Sequence, residues 1–155
     1  MGNQAEKRFV QLCHNRKFPL RPATKNENMV HHFDYVVQDA NDRFAKIEVK
    51  AMKAARRGMQ PSPHIIYVEL KNIHGGPGWI YGKADYIAFE QPNGFLLVDR
   101  LQLLDLVERI QPTCRKAAES GIRRTLYSRR DRDDLVLVLY MDDIRHLTKN
   151  VFLQV

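Results

Sequence analysis

The run Leu135-Val136-Leu137-Val138-Leu139-Tyr140-Met141 constrains this chain most. It is continuous and apolar, does not alternate, and is too short to span a membrane, so it predicts a strand covered on both faces. Such a strand needs a packed layer on each side, and helices are the usual cover. Helical spacing supplies them. Ala5, Phe9, Leu12 and Cys13 predict an amphipathic helix over 3–14 with Asn3 as its cap, and Leu103, Leu106, Val107 and Ile110 predict another, stopped by Pro112. A chain of 155 residues has the size of one domain. The reading is a single α/β unit over 1–155, with a mixed central β-sheet flanked by helices.

The remaining strands are short. Residues 18–24 predict an edge strand, because Pro19 and Pro22 are tolerated there and not in a central strand. The polar segment 24–29 predicts a turn, and HHFDYVV (31–37) and FAKIEVKA (44–51) then predict a β-hairpin. HIIYVELK (64–71) predicts a strand after a basic, proline-broken linker, and Gln91-Pro92-Asn93-Gly94 joins ADYIAFE to GFLLVDR in a second hairpin. Residues 113–132 are polar and basic.

In a strand, residues two apart share a face, so Glu48 and Lys50 project together, and the hairpin brings Asp34 beside Glu48. Close carboxylates repel unless a proton or cation intervenes, and hard oxygen donors suit Mg²⁺ or Mn²⁺. Such an ion lowers the pKa of a bound water and stabilises charge in a phosphoryl displacement. Lys50 can orient the water, help deprotonate it, or stabilise the phosphorane, and the sequence leaves these three roles open. The alternative is an ordinary cross-strand ion pair on a solvated face. Glu69-Leu70-Lys71 repeats the triplet, but a long, proline-broken segment separates it from the first, which is preferred. Glu6 stands at the margin of the apolar stripe of its helix, where it can lean over the sheet. His31 and His32 adjoin Asp34 and are read as solvated or hydrogen-bonded.

The order Glu6 in QAEKRF, Asp34 in HHFDYVV and Glu48-Val49-Lys50 in KIEVKA resembles the PD-(D/E)XK nuclease superfamily, and within it the archaeal-type Holliday-junction resolvases. The resemblance covers roughly residues 4 to 52, with Phe33 where the superfamily often has proline. It implies a restriction-endonuclease-like core in which Asp34 and Glu48 hold the metal, Val49 lends its carbonyl, and Glu6 reaches the site from the helix. It also implies a phosphodiester-hydrolysing DNA endonuclease with branched DNA as the preferred substrate and a sequence-specific or nicking enzyme as the alternative, and symmetric cutting of two strands would suit a homodimer.

A net charge of +7 attracts polyanions, which makes nucleic acid the first partner to test. Lys53, Arg56 and Arg57 follow the candidate strand, and Arg115, Lys116, Arg123, Arg124, Arg129 and Arg130 crowd a later segment, so all nine are candidate DNA contacts. Rival readings are a catalytically silent DNA-binding module and an RNA-directed nuclease. Gly75-Gly76-Pro77-Gly78 lacks the Lys-Ser/Thr ending of a nucleotide-binding loop and is read as a flexible turn, and Trp79 and Tyr81 are rings that can stack on a base. Cys13 and Cys114 show no zinc spacing and read as thiols in a reducing compartment. With a charged N-terminal segment and no membrane-length run, the cytoplasm is the expected location.

Overall fold

Ala5, Phe9, Leu12 and Cys13 line the buried face of the first helix, α1 (Gly2–Asn15), as their spacing predicts. This computed structural model describes residues 2–153, and the side chains of residues 4–147. Asn3 lies inside α1, not before it, and its side chain is outside the described residues. After α1 come β1 (Leu20–Pro22), α2 (Lys25–His31), β2 (Tyr35–Gln38), β3 (Phe44–Lys50) and β4 (Ile65–Lys71). Then follow β5 (Tyr86–Gln91), β6 (Gly94–Asp99), α3 (Arg100–Ile110), β7 (Arg115–Lys116) and β8 (Thr125–Tyr127). The last are β9 (Leu135–Tyr140), α4 (Met141–Ile144) and β10 (Thr148–Leu153).

The chain is mixed α/β, but its strands form two mixed sheets where the sequence predicts one. Two compact units result. The first takes in the described residues of Met1–Ala51, Gly82–Arg100 and Thr148–Val155, and the second Met52–Tyr81 and Leu101–Leu147.

In the first unit the strand order is β1-β2-β3-β5-β6-β10, with β3 and β5 parallel and every other neighbouring pair antiparallel. Both expected hairpins are present, as β2–β3 and β5–β6. Alternation along β3 turns Ile47 and Val49 toward α1, where they join Ala88, Phe95 and Leu97 in one apolar cluster. Phe9 meets the Phe95 ring edge-on at 5.3 Å, and Arg8 pairs with Glu90 at 2.6 Å while lying 5.9 Å over the same ring. These contacts fix the first turns of α1 on the sheet. The Cys13 thiol is wholly buried, which pushes its pKa up to about 11.

The polar segment read as a turn is helical. Thr24 Oγ1 accepts from Glu27 N at 3.1 Å and Glu27 Oε1 accepts from Thr24 N at 2.9 Å, a capping box that starts α2. The helix ends in the left-handed residue His32 (φ 53°), so the strand begins at Tyr35 and the two histidines stand outside it. Strand β10 is one that the apolar patterning does not predict.

In the second unit the order is β4-β9-β8-β7, with β7 and β8 parallel and the rest antiparallel. The apolar run is β9, flanked on both edges, with Leu137, Val138 and Leu139 fully buried. The loop after β4 is pinned rather than a flexible turn: Asn72 Oδ1 accepts from His74 N and Gly76 N, and Pro77 bridges Lys71. Gly78 is required there, because a Cβ would lie 2.0 Å from the Glu69 carbonyl oxygen. No helix among the described residues is long and apolar enough to cross a membrane.

Candidate active site

Asp34 precedes β2 by one residue and is tied twice to β3. Its backbone N–H donates to Ile47 O at 2.8 Å, and its Oδ2 accepts from Val49 N at 2.7 Å. The carboxylate therefore stands beside the stretch that carries Glu48. A second donor, Asn28 Nδ2 from α2, reaches Asp34 Oδ1 at 2.8 Å. Each oxygen thus has one donor and keeps acceptor capacity.

Glu48 is the unusual member. It is only 7% exposed, its Oε1 pairs with Lys50 Nζ at 2.6 Å, and its Oε2 is buried without a hydrogen-bond partner. Burial lifts its pKa to about 7; the Lys50 ammonium opposes the shift, and the charges of Asp34 and Glu6 reinforce it. Glu6, half-buried on α1, is also raised, by burial first and then by Asp34, with Lys50 acting the other way. Even Tyr35 is raised by burial and by the charges of Glu6 and Asp34. The four residues singled out from the sequence, Glu6, Asp34, Glu48 and Lys50, therefore share one electrostatic neighbourhood in the first unit.

An ion pair on a solvated face looks different. There, water satisfies both carboxylate oxygens and the pKa stays low. Here a buried oxygen is left with a lone pair facing no donor, an arrangement that costs free energy until a proton or cation meets it. Among the described residues no group of three or more His, Cys, Asp or Glu side chains could hold a metal ion. The oxygen donors that could meet a small hard cation are instead the Asp34 and Glu48 carboxylates and the backbone of Val49 between Glu48 and Lys50, a set that leaves places for water.

The chain matches no family model, no curated protein and no solved structure.

The competing triplet lies elsewhere. Glu69 and Lys71 are on β4 in the second unit, and the neighbours of β3 are β2 and β5, so Glu48 and Glu69 do not sit on adjacent strands. Trp79 is buried, which suits core packing, whereas Tyr81 is exposed.

The nine basic candidates all belong to the second unit, and they divide by what they touch. Arg123 and Arg124 both bind the buried carboxylate of Asp143, at 2.6 and 2.9 Å, and Arg123 also lies 5.5 Å over the Tyr140 ring. Arg129 pairs with the buried Asp134. Arg56 pairs with Glu119 at 3.0 Å, both exposed. Lys53, on a short bridge to Ser62, Arg57, Arg115, Lys116 and Arg130 are exposed, and among the described residues they carry no ion pair. Arg123, Arg124 and Arg129 thus have structural work that the arginine-rich pattern does not reveal. Sequence reasoning misses Asn28 as a site neighbour, although Thr24-Lys25-Asn26-Glu27 carries the capping-box signature that places it on a helix.

Proposed function

We propose that this chain is a metal-dependent DNA endonuclease with a restriction-endonuclease-like core, hydrolysing phosphodiester bonds at Glu6, Asp34, Glu48 and Lys50. The observation that carries the reading is the buried Glu48 carboxylate, one oxygen on Lys50 and the other without a partner, beside the doubly held Asp34. Asp34, Glu48 and the Val49 carbonyl would hold Mg²⁺ or Mn²⁺. When bound, the ion supplies charge stabilisation at a phosphoryl oxygen and makes water a better nucleophile.

The protein's own groups do the rest. Asp34 is fixed in orientation by its two donors, which prepays the cost of ordering it. Lys50, paired with Glu48 Oε1 and more exposed than it, sets a positive charge beside an otherwise acidic cluster, one that a phosphodiester would meet. Glu6 adds a carboxylate whose raised pKa suits it to taking up a proton near the site. The likeness of residues 4 to 52 to resolvases supports branched DNA as substrate, and symmetric cutting of two strands would suit a homodimer.

The test is incubation with linear, supercoiled, single-stranded and four-way-junction DNA, with Mg²⁺ or with chelator. Cleavage of the junction that needs the metal and disappears in Asp34→Asn is the expected result. Steeply salt-dependent binding without cleavage under either metal would instead identify a silent DNA-binding module, and cleavage of RNA alone an RNA-directed enzyme.

The division of the arginines predicts a second outcome. Arg115→Ala with Lys116→Ala is expected to weaken DNA binding uniformly across sequences and to flatten the log–log salt dependence by roughly 0.9 for each phosphate no longer neutralised. Thermal unfolding should barely change, because both side chains are exposed and carry no ion pair among the described residues. A filter-binding or anisotropy titration over a range of salt concentrations reads the slope directly.

A further inference from the structure

Asn28 is the side chain through which α2 reaches Asp34. Its amide nitrogen lies 2.8 Å from Asp34 Oδ1 and 3.3 Å from Phe33 O, so one NH₂ group spans the carboxylate and the peptide just before it. The helix that presents it is anchored independently. Thr24 and Glu27 cap its start, and Arg21 of β1 grips both oxygens of Glu27 at 2.9 and 3.3 Å. The other oxygen of Asp34 is held by β3 through Val49 N. Donors from two separate elements thus fix both torsions of a side chain that stands outside any strand.

Helix propensity argues that the amide is there for this contact. Asn is a poor residue inside a helix and Ala the best, so position 28 gives up helix stability to place an amide. We propose that Asn28 is a positioning residue, which orients the Asp34 carboxylate for a divalent cation. This rests on the nuclease reading. Its physical basis is that a ligating carboxylate left free to rotate loses affinity to torsional entropy, and hydrogen bonds to ligand side chains commonly govern metal affinity by about 10- to 100-fold.

Calorimetric titration of the full chain with Mn²⁺ alone, without DNA, provides the test. Asn28→Ala is expected to bind Mn²⁺ about tenfold more weakly than the parent. The Mg²⁺ concentration giving half-maximal cleavage should rise by the same factor, with KM for DNA unchanged. The melting temperature should hold or rise, since alanine favours α2. Asn28→Leu, close to asparagine in shape and unable to donate, should show the same shift and guards against an effect of lost volume. A parent that binds and cleaves beside Asn28 variants with unaltered Mn²⁺ affinity overturns this inference alone. A parent that binds no Mn²⁺ and cuts nothing overturns it together with the nuclease reading.

Discussion

Glu48→Gln is expected to slow cleavage severely and, at pH 8, to make the protein more stable than its parent. The two effects share one cause. A carboxylate that is 7% exposed, with an oxygen facing no donor, is held in a position that favours the proton-bearing form, and its pKa rises to about 7 from an ordinary 4.5. Because the folded-state value is the higher one, the folded protein binds the proton more tightly than the unfolded chain. Stability is therefore unaffected by this group below about pH 4.5, falls as pH rises toward 7, and stays lowered above it. The cost at pH 8 is on the order of 3 kcal/mol, a figure that already includes the opposing pull of Lys50 on the pKa. Glutamine carries no charge and removes that cost. If Glu48 holds the metal as proposed, its loss should lower the cleavage rate by about 10²- to 10³-fold, the equivalent of several kcal/mol of transition-state stabilisation. Urea unfolding at pH 5 and pH 8, with cleavage measured on the same preparations, checks both. The parent should also be stabilised by Mg²⁺ at pH 8, and Glu48→Gln should not, since only a site that binds the ion couples it to folding. If Glu48→Gln proved less stable than the parent at pH 8, Glu48 and Lys50 would form a structural ion pair, and the active-site reading would fall.

Much of the first unit was legible because its signals are local. The spacing of Ala5, Phe9, Leu12 and Cys13, and the alternation in Phe44–Lys50, are each settled by one element meeting the core, and the hairpin between β2 and β3 follows from their adjacency in sequence. The same locality placed Asp34 near Glu48. What escaped was whatever depends on a distant partner. Strand β4 reads like any other half-buried strand, and nothing in IIYVELK tells that it pairs with β9 rather than with β3. Strand β7 is two residues long and exposed, so it has no apolar pattern to detect. The missed helix α2 is different, because it buries no residue and gives no apolar stripe, and only its cap announces it. Missing α2 also hid Asn28, and it set His31 and His32 on a strand that starts later.

The arginine-rich segment shows how a charge run can mislead, and Asp143→Asn is the variant that exposes it. Asp143 lies just beyond β9 at the third position of α4, with 3% of its side chain exposed. Burial by itself would raise its pKa, yet hydrogen bonds from Arg123, Tyr140 N and Arg124 prevail and hold it down at about 2. It therefore binds two guanidiniums and closes the turn that follows β9. Asparagine keeps the shape but loses the charge, and should cost about 2 to 3 kcal/mol; the loss stays below that of a fully buried pair because both arginine tips are solvated. The sign with pH is opposite to that of Glu48. A lowered folded-state pKa gives stability that is complete above about pH 4 and is lost as pH falls toward 2, so the parent should weaken across that window and Asp143→Asn should not. DNA affinity is the discriminating readout. If Arg123 and Arg124 serve the fold, releasing them from Asp143 lowers the melting temperature without weakening DNA binding, the reverse of what is expected for Arg115→Ala with Lys116→Ala. If they serve phosphates while Asp143 orients them, the variant should bind DNA more weakly at a stability close to that of the parent, and the phosphate-binding surface would then have to include them.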